Sequence, residues 1–443
     1  MSLVLKNASL LLGKDLTFVL RGYVEIGTDG LIQQAKSGTY HPSARGGCRD
    51  GTIIDAEGFL IAPGLINAHT HVGDSFGKDV AVDSGLDARV HPLYGAKERI
   101  LQRSKPDHLK TFIRSSALSM MRKGITTFAD FREGGVEGIK LLKNAISGLP
   151  IKCVLFGRVE YYFDRSLNVS STDSNISTNT LSVGAQRLPP GALRDASRVL
   201  QVSDGLGISG ANENTDESLQ QYKDLITKTN SIMTSHDKKK KRLLSAIHAA
   251  ESEATVELSK SQTGKTEVAR IIQHLRPDIL IHMTRATEQE ISIASRNRIG
   301  IVICPRANGI VGAGIPKVAK MLELGCVIGI GSDNVMLNPP DILRELDYVW
   351  KVSRSVEHVF LNAKDILKMA TVNGAEILGV NSGCIERGRE ADLIFIDKSH
   401  ADLYPMHNPF ASIVHRANQD SIKAVMINGR FVDEAQFEVA NND

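Results

Sequence analysis

Between residues 60 and 382 short apolar segments alternate with helical patterns, which restricts the chain to parallel strands joined by crossover helices. Eight segments read as strands: 60–69, 125–130, 151–160, 206–211, 243–248, 279–283, 299–304 and 326–331. Amphipathic spacing between them predicts helices over 107–122, 136–146, 192–202, 217–229, 266–275, 287–295 and 315–324. Two more, 340–356 and 363–378, follow the last strand. Eight such units close into a (β/α)8 barrel. At 443 residues and 42% hydrophobic content, the chain can bury that core and still supply a smaller domain.

The ends have another texture, of short strands and turns. Asp29-Gly30 and Asn428-Gly429 each stand between apolar runs, and both dipeptides accept the positive φ of tight hairpins. Two terminal segments alike in character imply one small β-sandwich domain built from both. The expected division is therefore 1–59 and 383–443 for the β-domain and 60–382 for the barrel. Residues 167–186, rich in Ser, Asn and Thr, read as a loop over the barrel mouth.

Acidic and basic residues nearly balance, 50 against 53, which gives no case for a nucleic acid or an anionic membrane as partner. The one basic run, Lys238 to Arg242, reads as a solvated loop. Five cysteines without any Cys-x-x-Cys spacing read as buried, reduced thiols. Lys6 and Asn7 interrupt the N-terminus before a signal-peptide core forms, and no apolar stretch reaches spanning length. The expectation is a soluble, cytoplasmic protein.

Chemistry gathers at the strand ends. The first apolar run finishes in Pro63-Gly64-Leu65-Ile66-Asn67-Ala68-His69-Thr70-His71, and alternate residues of a strand share a face, so both imidazoles can grip one metal ion. With 13 histidines in the chain, chance alone supplies roughly 0.4 such pairs, so their company decides. His248 and His282 each close a further strand, Asp333 follows 326–331, and Glu251 comes three residues after His248. In a barrel these ends converge on one mouth. Three imidazoles and a carboxylate suit Zn²⁺, and Fe²⁺ accepts the same set.

These residues resemble the amidohydrolase superfamily, specifically its cytosine deaminase and triazine hydrolase branch. The similarity rests on the Pro63 to His71 string, His248-Ala249-Ala250-Glu251, His282, Cys304-Pro305-Arg306-Ala307-Asn308 and Gly331-Ser332-Asp333-Asn334. Asp55-Ala56-Glu57-Gly58 and Ala391-Asp392-Leu393 extend it into the β-domain. The resemblance implies that His69, His71, His248 and Asp333 bind one divalent metal. It implies that Glu251 carries a proton from water to the substrate nitrogen or leaving amine, and that His282 polarises the reactants. Asp333 would also orient the attacking water. Relatives with two metals use a carboxylated lysine at the end of the fourth strand; 206–211 has none and Lys152 begins the third, so a mononuclear site is expected. The zinc deaminases that use Cys-x-x-Cys are excluded.

The implied activity is hydrolysis of a C–N bond in an aminated heterocycle of purine, pyrimidine or triazine type, with release of ammonia. Opening of a cyclic amide or displacement of another leaving group, chloride included, is the second reading, and an inert scaffold the third. For substrate contacts, Asn308 and Arg306 stand near the mouth, and Ala307 replaces a serine common among relatives. Arg306 suits a substrate carboxylate or phosphate, and equally an ion pair. Trp350 stacks on a ring or packs between helix and barrel. Asp74 lines the pocket or caps a turn, and Asp130 and Arg132 support the ligands or pair with each other. Specificity is expected in 72–104, 161–191 and 335–345, and homo-oligomers suit such barrels.

Overall fold

The computed structural model describes residues 2–41, 51–163, 187–236 and 241–433. The expected loop 167–186 and residues 238–240 of the basic run lie outside them.

The parallel strands predicted for the barrel all form: β1 (Leu65–His71), β2 (Ile125–Arg132), β3 (Lys152–Gly157), β4 (Gly205–Ile208), β5 (Leu244–Ala249), β6 (Ile279–His282), β7 (Gly300–Ile303) and β8 (Ile328–Ile330). Each is hydrogen-bonded to the next. The short strand Asp333–Asn334 continues β8 and pairs in parallel with Thr70 and His71, which closes the ring. Asn67 locks this seam, donating from Nδ2 to Ser332 Oγ at 2.8 Å and accepting from Ser332 N–H at 3.0 Å. The strands are covered on both sides, as parallel strands flanked by helices must be, so their sequences lack strict alternation. Phe128 and Phe131 of β2 are both fully buried, yet they belong to different apolar clusters.

The predicted helices form with ends shifted by a few residues, among them Pro106–Arg122, Gly135–Ile146 and Ile342–Glu357. The expected helix 363–378 divides into Ala363–Met369 and Val372–Leu378, because Thr371 leaves helical geometry (φ −135°, ψ −97°). Helices without a sequence forecast occupy Leu86–Val90, Ala96–Arg103, Glu253–Thr263, Pro305–Ile310 and Pro409–His415. Glu253–Thr263 is held by a capping box of Ser252 and Thr255 more than by an apolar stripe, since only Val256 and Ser259 are buried in it.

Strands from both termini form a second sheet, in the order Arg430–Phe431, Ile422–Ile427, Leu393–Asp397, Phe59–Pro63, Leu3–Leu12, Thr17–Ile26, Ile32–Ser37. Thr52–Asp55 also pairs with Leu3–Leu12. Both hairpins form at the expected dipeptides, with φ of 78° at Gly30, 50° at Asn428 and 74° at Gly429. The boundary differs from the expected residue 60: Phe59–Pro63 pairs antiparallel with Leu393–Asp397 in the terminal sheet, and the barrel starts at Leu65. One continuous apolar run conceals the change of sheet because both halves are buried. Gly64 makes the step, since a Cβ there would collide with the Thr126 side chain. Lys152, at the base of β3, pairs with Glu390 at 2.5 Å and with Asp392, fastening the terminal sheet to the barrel. Among the described residues no helix is long and apolar enough to cross a membrane.

Candidate active site

His69 and His71 leave β1 on the same face, with ring centroids 4.9 Å apart. The His69 ring also lies 5.0 Å from that of His248 at the end of β5, and 4.6 Å from Phe131. Asp333 Oδ1 faces the Nε2 atoms of His69 and His71 at 3.4 and 3.6 Å. The donor atoms of His69, His71 and Asp333 all fall within 4.8 Å of one another, as do those of His69, His248 and His282, and those of Glu251, His282 and Asp333. Burial pushes the imidazoles of His69, His71 and His248 down, His71 to about 3, so all three are neutral and carry a lone pair. Asp333 is buried, yet the rings of His69, His282 and His71 around it hold its carboxyl well below the usual carboxylate range.

Hydrogen bonds fix which nitrogen is free. His248 Nδ1 donates to the Ile208 carbonyl at 3.2 Å and His71 Nδ1 to Glu133 Oε1 at 3.0 Å, which leaves both Nε2 atoms as acceptors. Neither ring nitrogen of His69 has a hydrogen bond, although the residue is fully buried. Buried imidazole nitrogens without a protein partner, beside a carboxylate, have the chemistry of a cation's donor set. The set fits a divalent metal ion.

Glu251, beyond the end of β5, faces His282 Nε2 at 3.6 Å. Burial pushes its carboxyl up to about 7. His282 Nδ1 donates to Asn308 Oδ1 at 3.0 Å, and Asn308 Nδ2 donates to Thr284 Oγ1 at 2.6 Å, so the His282 ring is fixed with Nε2 toward Glu251. A cavity of about 90 Å³ opens onto this group and is lined by His71, Glu251, His282 and Asp333, and by Lys97 and Arg158. A larger cleft of about 810 Å³ shares only Arg158 with it and holds none of the convergent groups.

A model of the amidohydrolase family matches residues 60–432. The chain belongs to that family. It is 34% identical over 430 residues to a putative aminohydrolase of Methanothermobacter thermautotrophicus, covering 97% of this chain and 99% of the relative. It is 24% identical to the 5-methylthioadenosine/S-adenosylhomocysteine deaminase of Thermococcus onnurineus, covering 97% and 93% of the two chains. Its fold is that of a zinc-bound atrazine chlorohydrolase from Arthrobacter aurescens, with TM-score 0.77, 18% identity, and coverage of 99% and 98%. A zinc-bound adenosine deaminase from Xanthomonas campestris gives TM-score 0.75 at 18% identity, covering 99% of this chain and 96% of that one.

In this amidohydrolase Asn308, Arg306 and Trp350, expected at the substrate, are not among the residues that line the cavity. Arg306 pairs with Glu345 at 3.3 Å and donates to Asn338 at 3.1 Å, away from the cavity lining. Trp350 donates to the Leu361 carbonyl at 2.9 Å and stacks on His415, so it packs between outer helices. Asn308 is wholly buried and orients His282. Asp74 accepts from Asn334 Nδ2 at 2.7 Å and from Met336 N–H at 3.1 Å, pinning the segment that follows Asp333. Asp130 accepts from Val72 N–H at 2.7 Å and from Thr70, bracing the end of β1, while Arg132 turns to Glu133 at 3.7 Å. Lys97, Glu133, Arg158, Glu213 and Glu267 carry no motif in the sequence, and the cavity or its margin is built from them. The one available signal was the length of β2, which runs two residues past the predicted end and delivers Glu133 to the mouth.

Proposed function

We propose that this amidohydrolase is a deaminase of aminated heterocycles: one water is consumed, the exocyclic amine leaves as ammonia, and the ring carbon gains an oxygen. The convergence of Glu251 and His282 on the cluster of His69, His71, His248 and Asp333 carries the reading. Those last four side chains would hold the ion, Zn²⁺ on the strength of three imidazoles, with Fe²⁺ the alternative. When bound, the ion activates water as a nucleophile at neutral pH.

The proton traffic belongs to Glu251. A carboxyl near pH 7 can take a proton from the attacking water and return it to the ring nitrogen or the departing amine. His282, fixed by Asn308, steadies Glu251 and the charge that develops beside it. The relatives named as deaminases of 5-methylthioadenosine, S-adenosylhomocysteine and 5′-deoxyadenosine make 5′-modified adenosines the first compounds to try.

The test is ammonia release by metal-quantified protein across amino-purines, amino-pyrimidines, their nucleosides and amino-triazines. Glu251→Gln is expected to cut turnover by about 10²–10⁴-fold while the metal stays bound. Release that survives in Glu251→Gln, or silence from protein carrying one metal per chain, overturns the reading.

A further inference from the structure

Glu133 stands at the centre of an array of buried charge that the proton traffic above does not use. Its Oε1 accepts from His71 Nδ1 at 3.0 Å and meets Lys97 Nζ at 2.5 Å. Arg158 lies 3.6 Å from the same oxygen, and Arg132 3.7 Å from Oε2. Lys97 comes from the helix Ala96–Arg103, in the insertion between β1 and β2, and its side chain is only 5% exposed. A lysine has every reason to reach solvent from such a helix, so its burial calls for a partner inside. The ammonium also lies 3.8 Å from Asp74 Oδ2, the carboxylate that receives the hydrogen bond of Asn334, next to Asp333. One cation thus lies beside the two carboxylates that hold His71 and Asn334, residues paired with each other across the β1 and Asp333 seam.

We propose that Glu133 and Lys97 are positioning residues that set metal affinity through His71 and fasten the insertion 75–104 to the metal centre. The inference rests on the metal-site reading above. An ionised carboxylate on Nδ1–H fixes the imidazole tautomer and makes Nε2 a stronger donor to a metal. Lys97, whose ammonium meets the same oxygen, keeps that carboxylate aimed at the ring. The same insertion carries Leu86, Asp87, Val90 and His91 of the cavity wall, so Lys97 and Glu133 tie the segment that supplies the wall to His71.

The experiment compares full-length wild type with Glu133→Gln, Glu133→Asp and Lys97→Met. The zinc dissociation constant is read by competition with a chromophoric chelator, the ligand field by the visible spectrum of Co²⁺-loaded protein, and folding by circular dichroism of the metal-free form. Glu133→Gln is expected to bind zinc about 10–100-fold more weakly, with an altered Co²⁺ spectrum, and Glu133→Asp to recover part of the loss. Lys97→Met is expected to weaken zinc binding in the same direction and to speed amide exchange across 75–104 in the metal-loaded protein. Should Glu133→Gln fail to fold, Lys97→Met decides, because Arg132 and Arg158 still compensate Glu133 there. Zinc affinity within twofold of wild type in the folded variants overturns the inference and leaves the deaminase reading intact. A wild-type chain that binds no metal overturns both.

Discussion

His282 sits at φ 72° and Asp333 at φ 59°, with Ala250 and Met283 also in the left-handed region at 48° and 53°. Each costs about 1–3 kcal/mol, and all four lie at or just past strand ends around the cavity, where the turn of the chain is what directs a side chain inward. Residue types at strand ends were legible in the sequence; these dihedrals were not, since they arise from the barrel holding its own rim. Ring orientation has the same origin. His282 is aimed by Asn308, 26 positions away. Asn308→Leu, similar in size but without an acceptor, is expected to lower kcat about 10–100-fold with metal content unchanged, measured by steady-state turnover beside metal analysis. Equal activity would show that the ring is held by packing alone.

At the scale of elements, the apolar segments announced themselves by length, and their succession gave the strand order. What the pattern hid was how closely β8 and β1 approach. A Cβ on Gly331 would lie 2.7 Å from both the Cβ and the carbonyl oxygen of His69. Backbone cannot yield as a side-chain tip can, so Gly331→Ala is expected to cost about 1–3 kcal/mol and to weaken metal binding, read from denaturant midpoints and chelator competition. The helices Leu86–Val90 and Ala96–Arg103 escaped forecast for a related reason: they bury few apolar residues, and the second is fixed inward by Lys97. Periodicity reports apolar faces, so an element anchored by charge is invisible to it.

At the scale of the molecule, both termini build one sheet, and its strand Phe59–Pro63 runs directly into β1. Lys152 bridges sheet and barrel through Glu390 and Asp392. Asp392 is buried, and burial raises its carboxyl against the pull of Lys152. Lys152→Met is expected to destabilise the whole chain by about 3 kcal/mol at neutral pH, because the variant leaves a buried carboxylate without its cation. Above the raised folded-state pKa of Asp392 that penalty is complete. It shrinks as pH falls through that pKa toward the ordinary carboxylate range, where the acid is neutral in both states, so the deficit is smaller at pH 5 than at pH 8. Denaturant unfolding at the two pH values checks the sign, and Lys152→Met combined with Asp392→Asn is expected to regain part of the loss at the higher pH.

The sequence by itself determined the succession of barrel strands with one helix after each, the hairpins at Asp29-Gly30 and Asn428-Gly429, and a set of imidazoles and carboxylates at strand ends. Burial leaves a local periodic trace, and few side chains can ligate a metal. Tertiary structure alone decided that Arg306 turns to Glu345, that Trp350 packs on His415, that the first apolar run is shared between two sheets, and that Lys97 and Glu133 stand behind His71. Those outcomes depend on which groups barrel closure brings together, such as His71 and Glu133 across 62 positions, and no local pattern encodes a partner that distant.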